Sequence, residues 1–378
     1  MFAEPFRNLL NRLLGRSADP GGSGSARVEI ERGKRLSNAG DLAGAMRAFE
    51  HALALNPHDA EIHFRLGLAW RDQHRLDAAA GCYRRAIELR PDYIEAHNNL
   101  GSVLQMQNDM DGALAAYRRA VALNPDFGQP YLNLGRLLVS LGDRDNAART
   151  FRTAIERGID VGSFRHLLSA LGGETTARAP DDYTRNLFDN FARDFDRRLV
   201  DELGYRIPEV LAARIRALQP RRDLRVLDLG CGTGLCGVHL AGCCASLTGV
   251  DLSPAMLDKA RARDLYDTLV ELSIVDWLEQ SPTDAFDLVL AADVLIYFGD
   301  LAPLFAATAR ALAGGGLFGF SIEAADVRDF SLQPSGRYAH AVDHVRRLCA
   351  QCKMQEVEGF AHRIRGDVDG YVFILRKS

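Results

Sequence analysis

A glycine-rich stretch, VLDLGCGTGLCG over residues 226–237, follows an apolar run and has the composition of a cofactor-binding loop. Two glycine spacings overlap in it. A G-x-G-x-x-G spacing, which wraps a pyrophosphate against a helix N-terminus, is formed by Gly232, Gly234 and Gly237. A tighter G-x-G-x-G spacing, which suits a cofactor with a cationic sulfonium, is formed by Gly230, Gly232 and Gly234. The loop therefore holds either an anion or a cation, and a nearby charge has to decide which.

Asp228 lies just before the first of these glycines. A carboxylate within about 5 Å of a phosphate is repelled by roughly 1–3 kcal/mol at an effective dielectric constant near 20. S-adenosylmethionine has no phosphate and carries a sulfonium and an ammonium group, so the same carboxylate attracts it. We therefore expect S-adenosylmethionine as the cofactor and not NAD.

Short apolar runs alternate with helical segments from residue 224 onward, which predicts a doubly wound parallel sheet. The runs are LRVLDL, SLTGVD, VELSIV, FDLVLAA and LFGFSI, and residues 354–376 add two strands with a Gly-Asp turn. Because such sheets bind ligands at the carboxyl ends of their strands, Asp251 and Asp276-Trp277 lie at binding positions. With these features, residues 180–378 resemble a class I S-adenosylmethionine-dependent methyltransferase. The resemblance implies an α/β Rossmann-like domain with a seven-stranded, mostly parallel sheet, a C-terminal antiparallel hairpin and N-terminal lid helices at 182–216.

The resemblance also implies a role for individual residues around the cofactor. It assigns the methionyl end to Asp228, Gly230 and Gly232, the ribose hydroxyls to Asp251, and the adenine to Leu252, Met256, Asp276 and Trp277. It assigns the methyl-transfer mouth to Ala292 and Asp293. For Leu252, Met256 and Trp277 the alternative is packing in the core. A carboxylate at a strand end is costly without a partner, which favours a binding role for the two acids Asp228 and Asp251.

Methyl transfer from a sulfonium needs alignment, desolvation and, for a protonated acceptor, a base. The candidate bases are Asp293, Tyr297 and His340. Each has an alternative: Asp293 binds cofactor, Tyr297 packs, and His340 is a solvated helix residue. No metal is expected, because the C-x-x-C pair at 349–352 lacks a second pair or a histidine partner.

Five residue positions recur every 34 residues in the first half of the chain. Two of these series are the glycines 33, 67, 101 and 135 and the aromatic residues 49, 83, 117 and 151. The pattern resembles the tetratricopeptide repeat, with four copies over 26–161. It implies an all-α solenoid over 26–173, in which residues 161–173 form a capping helix. Residues 1–25 are expected to form an N-terminal helix and a flexible linker, and the two domains should separate near 173–180.

Three asparagines lie on the predicted first helices of the repeats: Asn98, Asn99 and Asn133. Asn99 and Asn133 are one period apart and are expected to project in the same direction. A carboxamide offers both a donor and an acceptor, which matches a peptide unit. The resemblance implies that these side chains hold an extended peptide of a protein partner, while a packing or self-association surface is the alternative.

The composition excludes several classes of function. A formal net charge of −4 argues against a nucleic-acid partner, and there is no apolar run long enough for a transmembrane segment. Seven scattered cysteines fit a reducing, cytoplasmic location. We expect an S-adenosylmethionine-dependent methyltransferase whose array recruits a protein substrate or partner. The alternatives are a small-molecule O- or N-methyltransferase whose array only binds a partner, and a non-catalytic S-adenosylmethionine-binding adaptor.

Overall fold

The computed structural model describes residues 22–192 and 195–378, with side chains from residue 24 onward. The helix expected near residues 2–14 lies outside these ranges. The described residues divide into two compact units, and the division falls between Asp160 and Val161. Within the described ranges, none of the helices combines the length and the hydropathy of a membrane span.

Four helix pairs make up the first unit and confirm the four predicted repeats. They are α1 (Gly22–Asn38) with α2 (Leu42–Leu55), α3 (Ala60–Asp72) with α4 (Leu76–Leu89), α5 (Ile94–Met106) with α6 (Met110–Leu123), and α7 (Gly128–Ser140) with α8 (Arg144–Glu156). Three of the second helices begin at an aspartate whose carboxylate accepts a backbone N–H of the first turn, namely Asp41, Asp109 and Asp143. Because α1 begins at Gly22, residues 22–25 of the expected flexible linker are helical.

The repeating glycines let each helix pair close over an aromatic ring. A Cβ added at Gly33, Gly67, Gly101 or Gly135 would overlap the ring of Phe49, Tyr83, Tyr117 or Phe151, respectively. All four rings are buried. The structure packs each ring against the glycine of its own pair, which is why glycine and ring recur with the same period.

The helix α9 (Val161–Gly172) does not have its expected place. We expected it to cap the repeats, but it belongs to the second unit. There His166 donates from Nε2 to the carbonyl oxygen of Gly336 over 2.9 Å, and its ring centroid lies 4.9 Å from that of Tyr183. The buried face of this helix therefore finds its hydrogen-bond partner far along the chain.

A nine-stranded sheet forms the second unit. Its strands are β1 (Leu224–Leu229), β2 (Cys244–Asp251), β3 (Thr268–Glu271), β4 (Phe286–Ala291), β5 (Leu312–Ala324), β6 (Phe330–Leu332), β7 (Tyr338–His340), β8 (Met354–Arg365) and β9 (Val368–Lys377). The order β3-β2-β1-β4-β5 is parallel throughout, and β9 then pairs antiparallel with both β5 and β8. The reversal of strand order beside β1 opens a crevice at the carboxyl ends of β1 and β4.

The expected strand number of seven was wrong. The two additional strands, β6 and β7, form a short antiparallel pair, and β7 continues the sheet in parallel at the carboxyl end of β5. Each has three residues, FSL and YAH, so neither shows the alternation that reveals a strand in sequence. This insertion matters for the site, because the turn between its strands carries Arg337.

Helices cover both faces of the sheet, and one of them corrects the expected lid. On one face α11 (Ile207–Leu218) buries Ile207, Leu211 and Ile215 against β1, β4 and β5. This helix belongs to the core, so the predicted lid over 182–216 is too long. What remains of it beside the cleft is α10 (Asp181–Phe191) and a π-helical turn at Arg197–Glu202.

A chain shortened to residues 161–378 is expected to fold, whereas one shortened to 180–378 should be less stable by roughly 2–4 kcal/mol. The shorter chain loses α9 and three backbone hydrogen bonds over 2.8–2.9 Å. They run from the N–H of Ala179 to the Tyr297 carbonyl and from the N–H groups of Gly299 and Asp300 to the Ala177 carbonyl. Thermal unfolding of both chains measures the difference. Equal melting temperatures would return the boundary to the expected 173–180.

Candidate active site

A large cleft in the second unit opens at the carboxyl ends of the parallel strands. Its empty space is about 1070 Å³, including the part that is open to solvent. The loops after successive strands line it, through Gly230 and Gly232 after β1, Asp251 and Leu252 after β2, Ser273 and Ile274 after β3, and Ala292 and Asp293 after β4. The sequence therefore placed the site at the correct edge of the sheet.

The backbone of the glycine loop distinguishes the two overlapping spacings. Gly230, Gly232 and Gly234 have φ values of +64°, +54° and +87°, in the left-handed region that favours glycine. Gly237 instead lies inside the helix α12 (Leu235–Leu240). The N–H groups of Gly230 and Cys231 donate to the Val250 carbonyl at 2.8 and 3.1 Å, which fixes the turn. The conformationally special glycines are those of the tighter spacing.

Asp251 joins the glycine loop to the end of β2. Its two carboxylate oxygens accept the N–H groups of Gly232 and Ser253, each over 2.9 Å. The side chain is almost fully buried yet lines the cleft, and this burial raises its pKa to about 6. An anionic carboxylate with free lone pairs thus faces the cleft and suits a pair of hydroxyl donors.

Asp228 lies beneath the loop and not at the cleft surface. It is 1% exposed and accepts a hydrogen bond of 2.7 Å from the Tyr266 hydroxyl. Burial raises its pKa to about 7, against the opposing effect of the Tyr266 and Cys236 hydrogen bonds. The expected direct contact with the methionyl end is not seen, because Asp228 does not line the cleft and Tyr266 binds one of its oxygens. In its ionised form Asp228 contributes a negative electrostatic potential to the cleft from behind the glycine loop.

Three residues expected around the adenine lie elsewhere. The third strand ends at Glu271, earlier than the run VELSIV suggested, and helix α14 (Ile274–Gln280) begins at once. Asp276 is therefore exposed on a helix, while Trp277 packs against the core. Met256 is buried in helix α13 (Pro254–Ala262), where its N–H donates to the Ser253 hydroxyl. Of the expected set only Leu252 lines the cleft, and Ser273 and Ile274 take the positions assigned to Asp276 and Trp277.

Helix α10 and residues 195–202 contact the loops of the cleft through two acidic side chains. Asp189 accepts the Ser253 hydroxyl over 2.5 Å, and the Nε of Arg185 donates to the Leu252 carbonyl over 3.2 Å. Asp196 accepts the Thr233 hydroxyl and pairs with Arg263. The rings of Phe188 and Phe195, with centroids 6.0 Å apart, line the cleft between these contacts. The lid is thereby tied to the loops after β1 and β2.

Asp293 stands at the exit of β4 in a left-handed backbone conformation, with φ of +59°. Its N–H donates to the Ser321 hydroxyl over 2.9 Å, which holds the turn. Its carboxylate pairs with Arg365, and the same guanidinium also binds Glu323. Burial raises the pKa of Asp293, and the positive charge of Arg365 opposes that effect. Both carboxylates of this cluster are thus engaged by one arginine.

Tyr297 and Arg337 complete the charged side of the cleft. The Tyr297 ring is buried and lies edge-on to Phe188 at 5.4 Å between centroids. Burial raises its pKa, and the positive charge of Arg337 opposes that rise. Arg337 and Arg365 were both missed in the sequence. Arg337 lies in the segment GRYAH that was singled out for its histidine, and Arg365 lies just before the predicted hairpin turn.

His340 is not a candidate base. It is fully buried on β7, does not line the cleft, and donates from Nε2 to the Gly299 carbonyl over 3.2 Å. Burial lowers its pKa to about 4, so the ring is neutral. The expectation of a solvated helix residue was also wrong, because the surrounding segment forms the inserted strand pair. Among the described residues no group of three or more His, Cys, Asp and Glu side chains could hold a metal ion.

Comparison with protein-family models assigns both halves of the chain. Residues 226–316 match the model of a methyltransferase domain. Residues 69–108, 94–127 and 128–157 match models of the tetratricopeptide repeat. The chain joins tetratricopeptide repeats to a methyltransferase domain. Its cofactor is S-adenosylmethionine, and the buried acids Asp228 and Asp251 fit a cofactor that carries a sulfonium, an ammonium group and ribose hydroxyls.

Several curated proteins are similar to the methyltransferase half. Nodulation protein S of Rhizobium tropici is 34% identical over 146 residues, which are 38% of this chain and 58% of that protein. A ubiquinone biosynthesis O-methyltransferase of Thiobacillus denitrificans is 35% identical over 30% of this chain and 51% of its own length. A trans-aconitate 2-methyltransferase of Paracidovorax citrulli is 34% identical over 38% and 52%. The chain thus spans about half the length of these relatives.

Two solved structures resemble parts of this chain. An S-adenosylmethionine-dependent methyltransferase from Mesorhizobium loti is 22% identical with a TM-score of 0.37, over 45% of this chain and all of that one. The structure of MamA is 27% identical with a TM-score of 0.34, over 35% of this chain and 78% of that one.

Proposed function

We propose that this chain transfers a methyl group from S-adenosylmethionine to an acceptor bound beside Tyr297 and Arg337, and that its repeats bind a protein partner. The observation that carries the proposal is the joining of the positive-φ glycine loop to Asp251 in the cleft of a methyltransferase domain. The same cleft continues past the loop to a separate, charged and aromatic side, which leaves a place for an acceptor.

Each cleft residue has a proposed task toward the cofactor. Asp251 accepts the ribose hydroxyls, Leu252 and Ile274 border the adenine, and the backbone of Gly230 and Gly232 contacts the methionyl end. Asp228 attracts that end electrostatically through the loop. Ala292 lines the mouth through which the acceptor approaches. S-adenosylmethionine, when bound, supplies a methyl group that its sulfonium has already activated.

The lid has the task of excluding water. Its contacts at Asp189 and Asp196 hold the phenylalanine rings over the cleft. In a desolvated cleft the fixed charges act more strongly on the acceptor than they do in water. Asp293 and Tyr297 lie at the methyl-transfer mouth, but each is engaged by an arginine, and their proposed task is to orient the acceptor.

We propose a small molecule as the acceptor, with a protein acceptor as the second candidate. The names of two relatives, ubiquinone biosynthesis O-methyltransferase and trans-aconitate 2-methyltransferase, point to small molecules. The repeats favour the second candidate, because such arrays bind protein segments.

Two measurements test the proposed function. Calorimetric titration with S-adenosylmethionine, S-adenosylhomocysteine and NAD should show binding of the first two only. Incubation of a cell extract with methyl-labelled S-adenosylmethionine and the full chain should then place label in the small-molecule fraction. Binding without any labelled product would identify the chain as a non-catalytic adaptor, and binding of NAD alone would overturn the proposal.

Replacing Asn99 and Asn133 together by alanine is expected to weaken partner binding about 5- to 100-fold without changing cofactor affinity. Asn99 accepts from Arg71 over 2.9 Å and donates to the Glu95 carbonyl over 2.8 Å. Asn133 donates to Asn98 over 2.9 Å and accepts from Gln129 over 3.0 Å. Each amide is therefore oriented and can still make one further donor bond and one further acceptor bond to a peptide. Asn98 itself is buried and serves as that support, not as a contact surface.

For the protein-acceptor candidate, the readout for the asparagine pair is label in the protein fraction of the extract. Loss of a labelled protein band in the double variant, with unchanged cofactor affinity, would support the protein-acceptor candidate. If wild type and double variant label the same molecules equally, the two asparagines have no part in delivering the acceptor.

A further inference from the structure

We propose that the acceptor carries a carboxylate, that Arg337 binds it, and that an oxygen of this carboxylate is the atom that receives the methyl group. This inference rests on the proposed function and adds the chemical class of the acceptor. It comes from Arg337, which has no proposed task toward the cofactor, and from the ion pairs and protonation of the candidate bases.

Arg337 is a charged residue of the cleft whose guanidinium can bind a further anion. It is partly buried, and no ion pair of this arginine occurs in residues 22–192 and 195–378, whereas Arg365 nearby binds both Asp293 and Glu323. Although burial works against its charged form, Tyr297 and the two carboxylates raise the pKa of Arg337 further above its usual value. A planar guanidinium presents parallel N–H donors that match the two oxygens of a carboxylate.

The contacts of the preceding residue, Gly336, fix the position of Arg337 in the turn. Gly336, the residue before it, has φ of +80°, and its carbonyl is held by His166 of α9. A Cβ at Gly336 would also meet the Tyr183 hydroxyl at 2.5 Å, so this turn has little freedom to move. The inserted strands β6 and β7 therefore present one arginine to the cleft from a rigid turn.

An acceptor that is already ionised fits this cleft best, because none of the candidate bases is available to take a proton. Asp293 and Glu323 are paired with Arg365, and Tyr297 has a raised pKa, so it stays protonated near neutral pH. His340 lies outside the cleft. An alcohol or an ammonium acceptor would require one of these groups to take a proton. A carboxylate requires none.

The transfer step needs no further reactant. A lone pair on the acceptor's carboxylate oxygen forms a bond to the methyl carbon, while the carbon–sulfur bond breaks and its electron pair remains on sulfur. The products are a methyl ester and S-adenosylhomocysteine, and no proton changes place.

Alkali distinguishes this product from the other methylated classes. Methyl esters release methanol on treatment with base, whereas methyl ethers and N-methyl groups do not. After incubation of the full chain with methyl-labelled S-adenosylmethionine and cell extract, we expect base treatment to convert the label into volatile methanol. Base-stable label in both the small-molecule and protein fractions would overturn the carboxylate inference while leaving the proposed methyl transfer intact. Absence of any label would instead count against the proposed function.

Arg337→Gln tests the residue itself, with Arg337→Lys and Arg328→Gln beside it. Glutamine removes the charge and is expected to lower the yield of base-labile label about 10- to 100-fold, while lysine restores part of it. Arg328 has a side chain that is 96% exposed, so its replacement should change nothing. Affinity for S-adenosylhomocysteine should be the same in all four proteins, which separates acceptor binding from loss of fold.

A binding measurement gives the second readout. With S-adenosylhomocysteine bound, benzoate and succinate should raise the melting temperature of the wild type more than benzamide and succinamide do. This difference should vanish in Arg337→Gln. Equal effects of acids and amides on the wild type, or an undiminished effect in Arg337→Gln, would remove Arg337 as the carboxylate-binding residue.

Discussion

Asp251→Ala is expected to weaken S-adenosylmethionine binding about 10- to 100-fold. The ribose hydroxyls lose an anionic acceptor, and the N–H groups of Gly232 and Ser253 lose the oxygens that they bind at 2.9 Å. Calorimetric titration with S-adenosylmethionine and S-adenosylhomocysteine measures the change. Asp251→Asn keeps one acceptor oxygen and should fall between alanine and the wild type.

The matched control is Asp258→Ala. Asp258 lies on α13, close to Asp251 in sequence, but its side chain is 75% exposed and pairs only with Arg261 on its own helix. Its replacement should leave cofactor affinity unchanged. An Asp251→Ala protein with native melting temperature and native affinity would exclude Asp251 from the ribose site.

The pH dependence of binding provides a check on the same residue. Burial raises the pKa of Asp251 to about 6, so the carboxylate is ionised above that pH and carries a proton below it. A protonated carboxyl group has no charge and fewer free lone pairs, so it is a weaker acceptor for the two hydroxyls. Affinity should therefore fall by up to about tenfold per pH unit below 6. Asp228 has a pKa of about 7 and also titrates in this range. The contribution of Asp251 is the part of the pH dependence that disappears in Asp251→Asn.

Gly230→Ala is expected to lower cofactor affinity more than about 100-fold, the largest effect among the glycine-to-alanine substitutions considered. Two costs combine at this position. The backbone has φ of +64°, where an L side chain costs about 1–2 kcal/mol, and the added Cβ would overlap the Val294 side chain. Because Val294 precedes the 3-10 turn Leu295–Tyr297, relief of the overlap displaces both the cofactor loop and the acceptor side.

Two other glycines separate these costs. Gly242 has φ of +77°, and an added Cβ there would meet no atom within 4 Å, so Gly242→Ala should lose stability through backbone strain alone and keep its affinity. Gly232 has φ of +54°, equally open space, and a place in the cleft lining. Gly232→Ala should therefore match Gly242→Ala in melting temperature and lose affinity as well. Equal affinity in all three variants would show that the loop does not contact the cofactor.

The sequence predicted those parts of the fold that repeat or alternate. The repeat pairs were predictable because each glycine must face an aromatic ring, which ties residue type to position every 34 residues. Strands β1, β2 and β4 were predictable as buried apolar runs ending in polar residues at the cleft. Asp251 was placed correctly for that reason.

The errors arose where a few residues decide between two local structures. Residues 272–275, LSIV, could continue the strand or begin a helix, and the choice changes the direction of the side chains that follow. Because the helix begins at Ile274, Asp276 and Trp277 lie outside the cleft. The strands around Tyr338 are too short to show alternation, so His340 was predicted as a candidate base or a solvated helix residue and not as a buried strand residue. Both mistakes come from short-range patterns that tertiary pairing overrides.

The charged side of the cleft was missed for a different reason. Arg365 reaches Asp293 across 72 residues of chain, and no spacing rule connects two residues so far apart. The available signal was chemical and not positional, although Arg365 directly precedes the predicted turn of the final hairpin. A carboxylate at the exit of β4 needs a partner when it is buried, and a search for that partner among later arginines would have included it.

The position of Arg365 at the tip of the β8–β9 hairpin has a consequence for the order in which the protein matures. The residues of the cofactor side, from Gly230 to Ile274, are synthesised before Arg365, the counterion of Asp293. Arg365 also adjoins Gly366, whose N–H binds the Leu203 carbonyl over 2.7 Å and so anchors the hairpin to the segment following the lid. A growing chain on the ribosome therefore carries Asp293 without its counterion until the β8–β9 hairpin has been made.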